Sequence, residues 1–406
     1  MLQSFKKEIQ SELINILEFW SKNTLDEVNG GFIGKMDTYG NIHLDAEKGG
    51  VLNARILWTF SAASSFETLN KAERINALNL ANRAFHYFKT YFIDYEIGGV
   101  YWSLNADGSP KSTRKQTYAL AFAIYGLSEF YKVSENEEAL TLAKDLFSLI
   151  EKHSLDKEKG GYWEACTKDW EPLEDLRLSK KDRNDPKTMN THLHLVEAYV
   201  NLYKVWKNEE LASKIEVLLG VFEIYIIDSK TGHMKLFFDK EWNSQSAGIS
   251  YGHDIEAAWL LHESAEVLEN AALTEKWEKY AVQMAKATIE GFNLDGSLNH
   301  EKDAETGHLD THREWWVSAE AMIGFLNAYQ ISKDEKYLPI ILQLWEFTKE
   351  HLIDHKNGEW FWGVYPPTSC EPNYQIMDAE DKVGFWKCPY HNARACMELV
   401  NRVDSI

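Results

Sequence analysis

Asp156-Lys157-Glu158-Lys159-Gly160-Gly161-Tyr162-Trp163 is the stretch that decides the fold. The same Asp-x-x-x-Gly-Gly-aromatic pattern occurs at five other places, complete in some and weakened in others. The copies are 59 to 72 residues apart, which is the period of a repeat architecture. Six copies fit the chain, and they begin at Asp26, Asp94, Asp156, Asp228, Asp295 and Asp354.

Two helical patterns accompany each copy. Apolar residues recur there at i, i+3, i+4 and i+7, which predicts amphipathic helices. The pattern predicts twelve helices, at residues 2–22, 51–66, 72–92, 116–132, 136–153, 188–206, 208–227, 253–270, 274–291, 314–330, 335–352 and 390–403.

The helices alternate between two kinds. Odd ones carry many charges, as in residues 274–279, whereas even ones such as residues 118–127 are apolar on most faces and should be buried. This alternation predicts an all-α fold, an (α/α)6 barrel of six inner and six outer helices with short β-hairpins in the loops. We expect one catalytic domain over residues 1–406. An open solenoid is the alternative, but solenoids usually end in polar-faced caps, and residues 390–403 resemble another inner helix.

Composition limits the partners. The 406 residues have a net charge of −20, which disfavours nucleic acid and anionic membranes. No apolar run approaches the ~20 residues that a membrane span needs. The N-terminus leads into an amphipathic pattern and not into a signal peptide, so we expect a cytoplasmic protein. The four cysteines form no C-x-x-C pair, and we expect reduced thiols.

The ligand predicted from composition is a small neutral sugar. Fifteen Trp and nineteen Tyr exceed the needs of a core, and both combine a flat apolar face with a polar edge. Sugars offer flat C–H faces and hydroxyl rims to such side chains. We expect a monomer or a weak homodimer.

Ionisable and aromatic side chains occupy the starts of the inner helices. Inner helices of such a barrel point the same way, so their starts should converge at one mouth. Placing these groups in buried helices is costly without a purpose. The candidates are Arg55, Tyr118, Asn190, His192, His194, His253, Glu256, Trp315, Trp316, Trp386 and His391.

His192 and His194 resemble a metal-binding His-x-His pair. Residues two apart on a helix point in nearly opposite directions, so these two cannot hold one ion. We therefore predict no required metal. Three histidines with an arginine instead suit proton transfer next to a carbonyl, in which two imidazoles act on opposite faces of one carbon. The arginine would stabilise the enediolate oxygen. Such a site would epimerise a sugar at C2, or isomerise an aldose if the proton returned to C1.

Four tracts, residues 189–198, 251–261, 314–321 and 386–394, resemble the N-acylglucosamine 2-epimerase superfamily, with the cellobiose 2-epimerases as the most similar group. The resemblance implies that His253 and His391 are the acid/base pair. It implies that His194 and Arg55 assist ring opening and stabilise a cis-enediolate, and that no cofactor is needed. The positions that it implies for sugar contact are Tyr118, Asn190, Glu256, Trp316, Trp386 and, on a loop, Asp182.

Three alternatives stay open at this point. The substrate is a β-1,4 disaccharide such as cellobiose or a free sugar, as in a mannose 2-epimerase or mannose isomerase; Trp386 and residues 359–362 favour the disaccharide because they offer rings for a second sugar. A glycoside hydrolase would need two opposed carboxylates, for which Glu256 and Glu320 are candidates. A sugar-binding protein without catalysis would not need three histidines.

Overall fold

The computed structural model describes residues 2–405 and contains the twelve helices that the sequence predicts. They are α1 (Leu2–Asn23), α2 (Gly50–Ser65), α3 (Lys71–Tyr87), α4 (Thr117–Ser134), α5 (Glu137–His153), α6 (Met189–Val205), α7 (Glu209–Val221), α8 (Tyr251–Val267), α9 (Ala271–Thr288), α10 (Trp315–Ser332), α11 (Tyr337–Phe347) and α12 (Tyr390–Asp404). Helices α3, α7 and α11 each continue into one wider π-helical turn, at Phe88–Phe92, Phe222–Ile226 and Thr348–Leu352, and α9 continues into a 3-10 turn at Ile289–Gly291.

The even helices form a closed inner ring. Each packs against the next, from α2 through α4, α6, α8 and α10 to α12, and α12 packs back against α2. The odd helices lie outside: α3, α5, α7, α9 and α11 each pack on the inner helix that precedes them, and α1 packs on α12. This closure excludes the open solenoid and confirms the (α/α)6 barrel.

Burial separates the two rings as the sequence predicts. In α10 every residue from Trp315 to Ala328 is buried, whereas α5 buries one stripe that includes Leu146 and Ile150. A helix that is apolar all round is buried on every side, whereas an amphipathic helix is buried on one face only. None of the helices within residues 2–405 is long and apolar enough to cross a membrane.

Short antiparallel strands join neighbouring repeats around the mouth. A strand before each inner helix pairs with a strand of the following repeat, and the last repeat pairs back with the first through β15 and β1. The strands are β1 (Met36–Asp37), β2 (Lys48–Gly49), β3 (Ser103–Leu104), β4 (Pro110–Ser112), β5 (Lys115–Gln116), β6 (Ala165–Cys166), β7 (Lys187–Thr188), β8 (Phe237–Phe238), β9 (Gly248–Ser250), β10 (Glu301–Asp303), β11 (Leu309–Asp310), β12 (Arg313–Glu314), β13 (Gly363–Tyr365), β14 (Gln375–Ile376) and β15 (Asp381–Val383).

The repeated Asp turn anchors the segment that leads into the inner helix. Asp156 Oδ1 accepts the backbone N–H groups of Glu158 and Lys159, and its Oδ2 accepts Lys187 Nζ at 2.7 Å. Lys187 lies two residues before α6 and is fully buried. The same buried pair recurs as Lys48–Asp26, Lys115–Asp94 and Lys382–Asp354.

Two repeats use different anchors. In the fifth, Arg313 Nε donates to Ser297 Oγ at 2.6 Å, and that hydroxyl bonds Asp295. In the fourth, Ile249 occupies the position of the lysine. Here the acidic residue is on the inner helix and the basic residue is in the turn, since Asp254 on α8 accepts the N–H of Met234 at 2.8 Å and lies 2.7 Å from His233 Nδ1. The helix that carries His253 is therefore tied to its turn through an imidazole.

The second glycine of the pattern has a steric cause. Gly161 has φ +74°, and a Cβ atom there would lie 2.3 Å from the Trp242 ring. A side chain at this position would be strained by its backbone conformation and would also clash with the ring. The turn therefore requires glycine.

Candidate active site

Arg55, Tyr118, His194 and Trp386 lie together at the mouth formed by the inner-helix starts. Arg55 Nη2 donates to the Tyr118 hydroxyl at 2.9 Å. The Tyr118 ring centroid is 5.1 Å from that of His194 and 6.0 Å from that of Trp386. Arg55 is buried, and its guanidinium also lies over the Phe122 ring. A buried cation next to a sugar site can stabilise a developing oxyanion.

His253 and His391 share one neighbour, the Trp316 indole. Its ring centroid is 4.7 Å from His253 and 5.8 Å from His391. The two histidines that the sequence predicts as an acid/base pair therefore lie against one side chain, although they are on α8 and α12. Burial, followed by the charge of His194, lowers the pKa of His253 to about 3. Burial and the nearby Arg55 lower the pKa of His391 well below its usual range, so burial favours the neutral form of both rings.

All three histidines use Nδ1 for a protein contact. His391 Nδ1 lies 2.7 Å from Glu320 Oε1, and His194 Nδ1 lies 2.8 Å from Glu197 Oε2. His253 Nδ1 lies 2.8 Å from Ser250 Oγ. A carboxylate accepts the Nδ1–H, so the free electron pair of His391 and of His194 is on Nε2.

A charged layer lies one helical turn below the histidines, centred on Arg394. Arg394 Nη2 donates to Glu256 at 2.9 Å and to Glu320 at 2.7 Å, and its Nη1 donates to Glu197. All four side chains are buried. Sequence patterns predicted no role for Glu197 or Arg394, and for Glu320 they suggested only that of a hydrolase carboxylate.

Spacing along the inner helices would have revealed this layer. Glu197 follows His194 by three residues, Glu256 follows His253 by three, and Arg394 follows His391 by three. Residues three apart lie on the same face of a helix. The charges therefore repeat beneath the histidines.

The charge states in this layer differ. Burial and the adjacent Glu320 raise the pKa of Glu256 well above its usual range. The pKa of Glu197 is lowered to about 2, because Arg394 and His194 outweigh the opposing effect of burial. Glu256 is therefore protonated more readily than Glu197. Glu256 Oε2 is buried and has no hydrogen-bond partner within residues 2–405.

The Glu256, Glu320 and His391 side chains lie close enough to hold a metal ion. Arg394 Nη2 already donates to both carboxylates, so a cation occupies the position between them. A divalent ion would have to displace a buried guanidinium, which leaves these residues poorly suited to one.

His192 and His194 point apart, as their spacing predicts. His192 Nδ1 lies 2.7 Å from the Thr188 carbonyl oxygen, and its Nε2 accepts the Tyr162 N–H at 2.9 Å. Both nitrogens of His192 are thus used in the wall of the barrel.

Asn190 and Asp182 lie at the edge of the mouth. Asn190 is in the first turn of α6, and its Oδ1 is buried and lacks a hydrogen-bond partner within the described chain. Asp182 is on the loop before β7 and accepts the Ser179 N–H at 2.8 Å. Its neighbour Lys181 pairs with Glu380 across the mouth at 3.2 Å. Asp182 is therefore held in a rim loop, and no hydrogen bond within residues 2–405 joins it to the histidines.

The sequence predicts that the aromatic residues of 359–362 offer their rings to a second sugar, but Trp360 and Trp362 contact other side chains of the protein. Trp360 is fully buried and donates to Glu12 Oε1 at 2.7 Å, where α1 closes the ring. Trp362 packs on Trp315 with a centroid distance of 4.6 Å and donates to Glu314. Trp360 therefore belongs to the core, and that part of the prediction is wrong. Of the adjacent pair, Trp315 packs beneath Lys387, whereas Trp316 contacts both His253 and His391.

Comparison with known proteins places this geometry in a family. The model of the N-acylglucosamine 2-epimerase (GlcNAc 2-epimerase) family matches residues 31–373. The chain is 46% identical over 401 residues to a cellobiose 2-epimerase of Bacteroides fragilis, covering 98% of this chain and 100% of that one. It is 41% identical over 399 residues to a cellobiose 2-epimerase of Ruminococcus albus, covering 97% and 98% of the two chains. It is similar in structure to the cellobiose 2-epimerase of Bacillus thermoamylovorans, with a TM-score of 0.90, 38% identity, and coverage of 98% and 100%. The chain belongs to the N-acylglucosamine 2-epimerase family.

Proposed function

We propose that this protein is a sugar 2-epimerase that interconverts the glucose and mannose configurations at C2 of the reducing-end sugar of β-1,4 disaccharides such as cellobiose. The observation that carries the proposal is the position of His253 and His391 on one indole, each with Nδ1 held by the protein. The near full-length relatives named cellobiose 2-epimerases support this substrate.

In the proposed reaction one neutral imidazole removes the C2 proton of the open-chain sugar. The negative charge of the resulting cis-enediolate lies near Arg55, whose guanidinium is buried and stays charged. The other imidazole returns a proton to the opposite face of C2. Because that proton comes from water, solvent hydrogen enters the product at C2.

The second imidazole must carry a proton when it acts as the acid. Glu320 stabilises an imidazolium at His391 through the 2.7 Å Nδ1 contact, whereas His253 has the neutral Ser250 hydroxyl at the corresponding nitrogen. We therefore assign His391 the acid role and His253 the base role in at least one direction of the reaction. His194 and Tyr118, next to Arg55, bind the C1 end and assist ring opening.

An aromatic cluster favours a disaccharide over a free sugar. Trp386 lies 5.8 Å from Trp102 and 5.4 Å from Phe385, measured between ring centroids, and Trp386 also borders Tyr118. These rings adjoin the proposed site through Trp386 and offer flat faces to a second sugar ring. A mannose 2-epimerase or mannose isomerase would not need this extension.

The carboxylate geometry disfavours glycoside hydrolysis. A glycosidase places two carboxyl groups on opposite sides of the scissile bond. Glu256 and Glu320 instead bond the same Arg394 nitrogen atom and so lie on one side.

Incubation with cellobiose or with mannose in D2O, followed by NMR, tests the reaction and the substrate together. We expect glucosyl-mannose from cellobiose, with deuterium at C2, and slower or no conversion of mannose. Product formation without deuterium would contradict the two-base scheme, and faster conversion of mannose would contradict the disaccharide substrate. One catalytic domain over residues 1–406, cytoplasmic location and a monomeric or weakly dimeric state stay predictions from sequence.

A further inference from the structure

A second group of histidines lies on the rim, between β10 and α10. It consists of His300, His312 and Glu314, which we call the rim cluster; their nearest nitrogen and oxygen atoms all lie within 4.8 Å of one another. The two imidazole centroids are 4.4 Å apart. The proposed proton transfers do not use these histidines.

The distances in the rim cluster suit a divalent metal ion. His312 Nε2 is 3.0 Å from Glu314 Oε1, and His300 Nδ1 is 3.8 Å from Glu314 Oε2. Tetrahedral Zn²⁺ with bonds of about 2.0–2.2 Å places its ligand atoms roughly 3.3 Å apart, between these two values. Two imidazoles and a carboxylate form a ligand set that binds Zn²⁺ and leaves one coordination position open.

The remaining nitrogen of each imidazole faces another carboxylate. His312 Nδ1 is 2.5 Å from Asp310 Oδ1, and His300 Nε2 is 3.7 Å from Glu301 Oε1. Metal-binding histidines usually donate their second N–H to such a group, which fixes the ring and increases its basicity. The inner nitrogen of His300, Nδ1, is buried and has no hydrogen-bond partner within residues 2–405. A buried ring nitrogen without a partner is costly unless something binds it.

We propose that His300, His312 and Glu314 bind a divalent cation of the Zn²⁺ class, and that this cation inhibits the enzyme. The inhibitory part rests on the proposed function, whereas the binding part does not. Glu314 links the rim cluster to the reaction site, because its Oε2 accepts the Trp316 N–H and its Oε1 accepts the Trp362 N–H. A cation on Glu314 competes for these oxygens and displaces the indole that lies against His253 and His391.

Calorimetric titration with ZnCl2, and with CoCl2 followed by visible absorption, tests binding in the absence of sugar. We expect one ion per chain. His312→Ala and His300→Ala should each weaken binding at least tenfold, and Asp310→Asn, at a half-exposed side chain, should weaken it roughly 10- to 100-fold. His308→Ala is the matched control, since it removes an exposed imidazole from the same hairpin and should leave affinity unchanged.

Inhibition is measured as the ratio of cellobiose epimerisation rates with and without Zn²⁺ in the same variant. Saturating Zn²⁺ should lower the rate at least tenfold in the wild type and in His308→Ala, and less than twofold in His312→Ala at the same concentration. Absence of binding at millimolar Zn²⁺, or equal affinity in the wild type and both histidine variants, would overturn the metal site. Equal inhibition of His312→Ala and the wild type would overturn the inhibitory role. If His312→Ala does not fold, Asp310→Asn supplies both readouts.

Discussion

Glu320→Gln should slow epimerisation while leaving substrate binding nearly unchanged. The substitution keeps the shape of the side chain but removes the charge that faces His391 Nδ1 at 2.7 Å. Both groups are buried, so water does not replace the lost interaction. A hydrogen bond to a charged group contributes about 1.5–3 kcal/mol. If this stabilisation acts on the imidazolium form, kcat should fall roughly 10- to 150-fold.

The assay is the initial rate of cellobiose epimerisation across a range of pH, with kcat and KM determined separately. A positioning role for Glu320 predicts a lower kcat, a KM within about twofold of the wild type, and a shifted pH profile. Glu263→Gln is the matched control, since it also removes one carboxylate charge. Glu263 is on α8 and pairs with Lys204. It should leave kcat unchanged. A folded Glu320→Gln protein with wild-type kcat and pH profile would refute the reasoning.

The other predictions concern catalysis, stability and pH. His253→Ala and His391→Ala should each reduce turnover to background without changing the circular dichroism spectrum, and measurable epimerisation by either would remove that residue from the scheme. Lys115→Ala should lower the free energy of unfolding by about 3–5 kcal/mol, because it leaves Asp94 buried without its partner. Lys22→Ala removes a lysine from an exposed pair and should lower it by less than about 0.5 kcal/mol. Equal losses for the two variants in chemical denaturation would contradict the stabilising role of the buried Lys115–Asp94 pair. Burial opposes protonation of His233, but Asp254 and Glu290 raise its pKa overall, so its contribution is full below the unfolded pKa and is lost as pH rises through the folded pKa. Hydrogen exchange, corrected for intrinsic rates, should therefore show the first turn of α8 less protected at high pH, and His233→Gln should remove that dependence.

The sequence predicted the helices because each one satisfies its own local pattern. No predicted end differs from the observed one by more than three residues when the terminal π and 3-10 turns are included. The six-fold repeat then implied that the helix starts converge, which correctly brought Arg55 next to Tyr118 and His253 next to Trp316.

What the sequence did not predict depends on partners distant along the chain. The burial of Trp360 could not be predicted because its hydrogen-bond partner, Glu12, is on the first helix, at the other end of the chain. Arg394 went unassigned because its three carboxylates come from three other helices. The Lys–Asp anchors have a signal in the sequence, a lysine two residues before α2, α4 and α6, but a lone lysine before a helix does not reveal the aspartate that it pairs with.

The exchanged anchor of the fourth repeat makes one sector of the barrel sensitive to acidity. The anchors at the other inner helices use lysine or arginine, whose ordinary pKa values lie well above that of an imidazole. Burial opposes protonation of His233, yet Asp254 and Glu290 raise its pKa overall, and the ring loses its proton as the pH rises through that value. His233 bonds Asp254, the residue next to His253. As the medium becomes alkaline, α8 should loosen while its neighbours stay fixed. A barrel of six similar units would then adjust the helix of its proposed base without disturbing the other five inner helices.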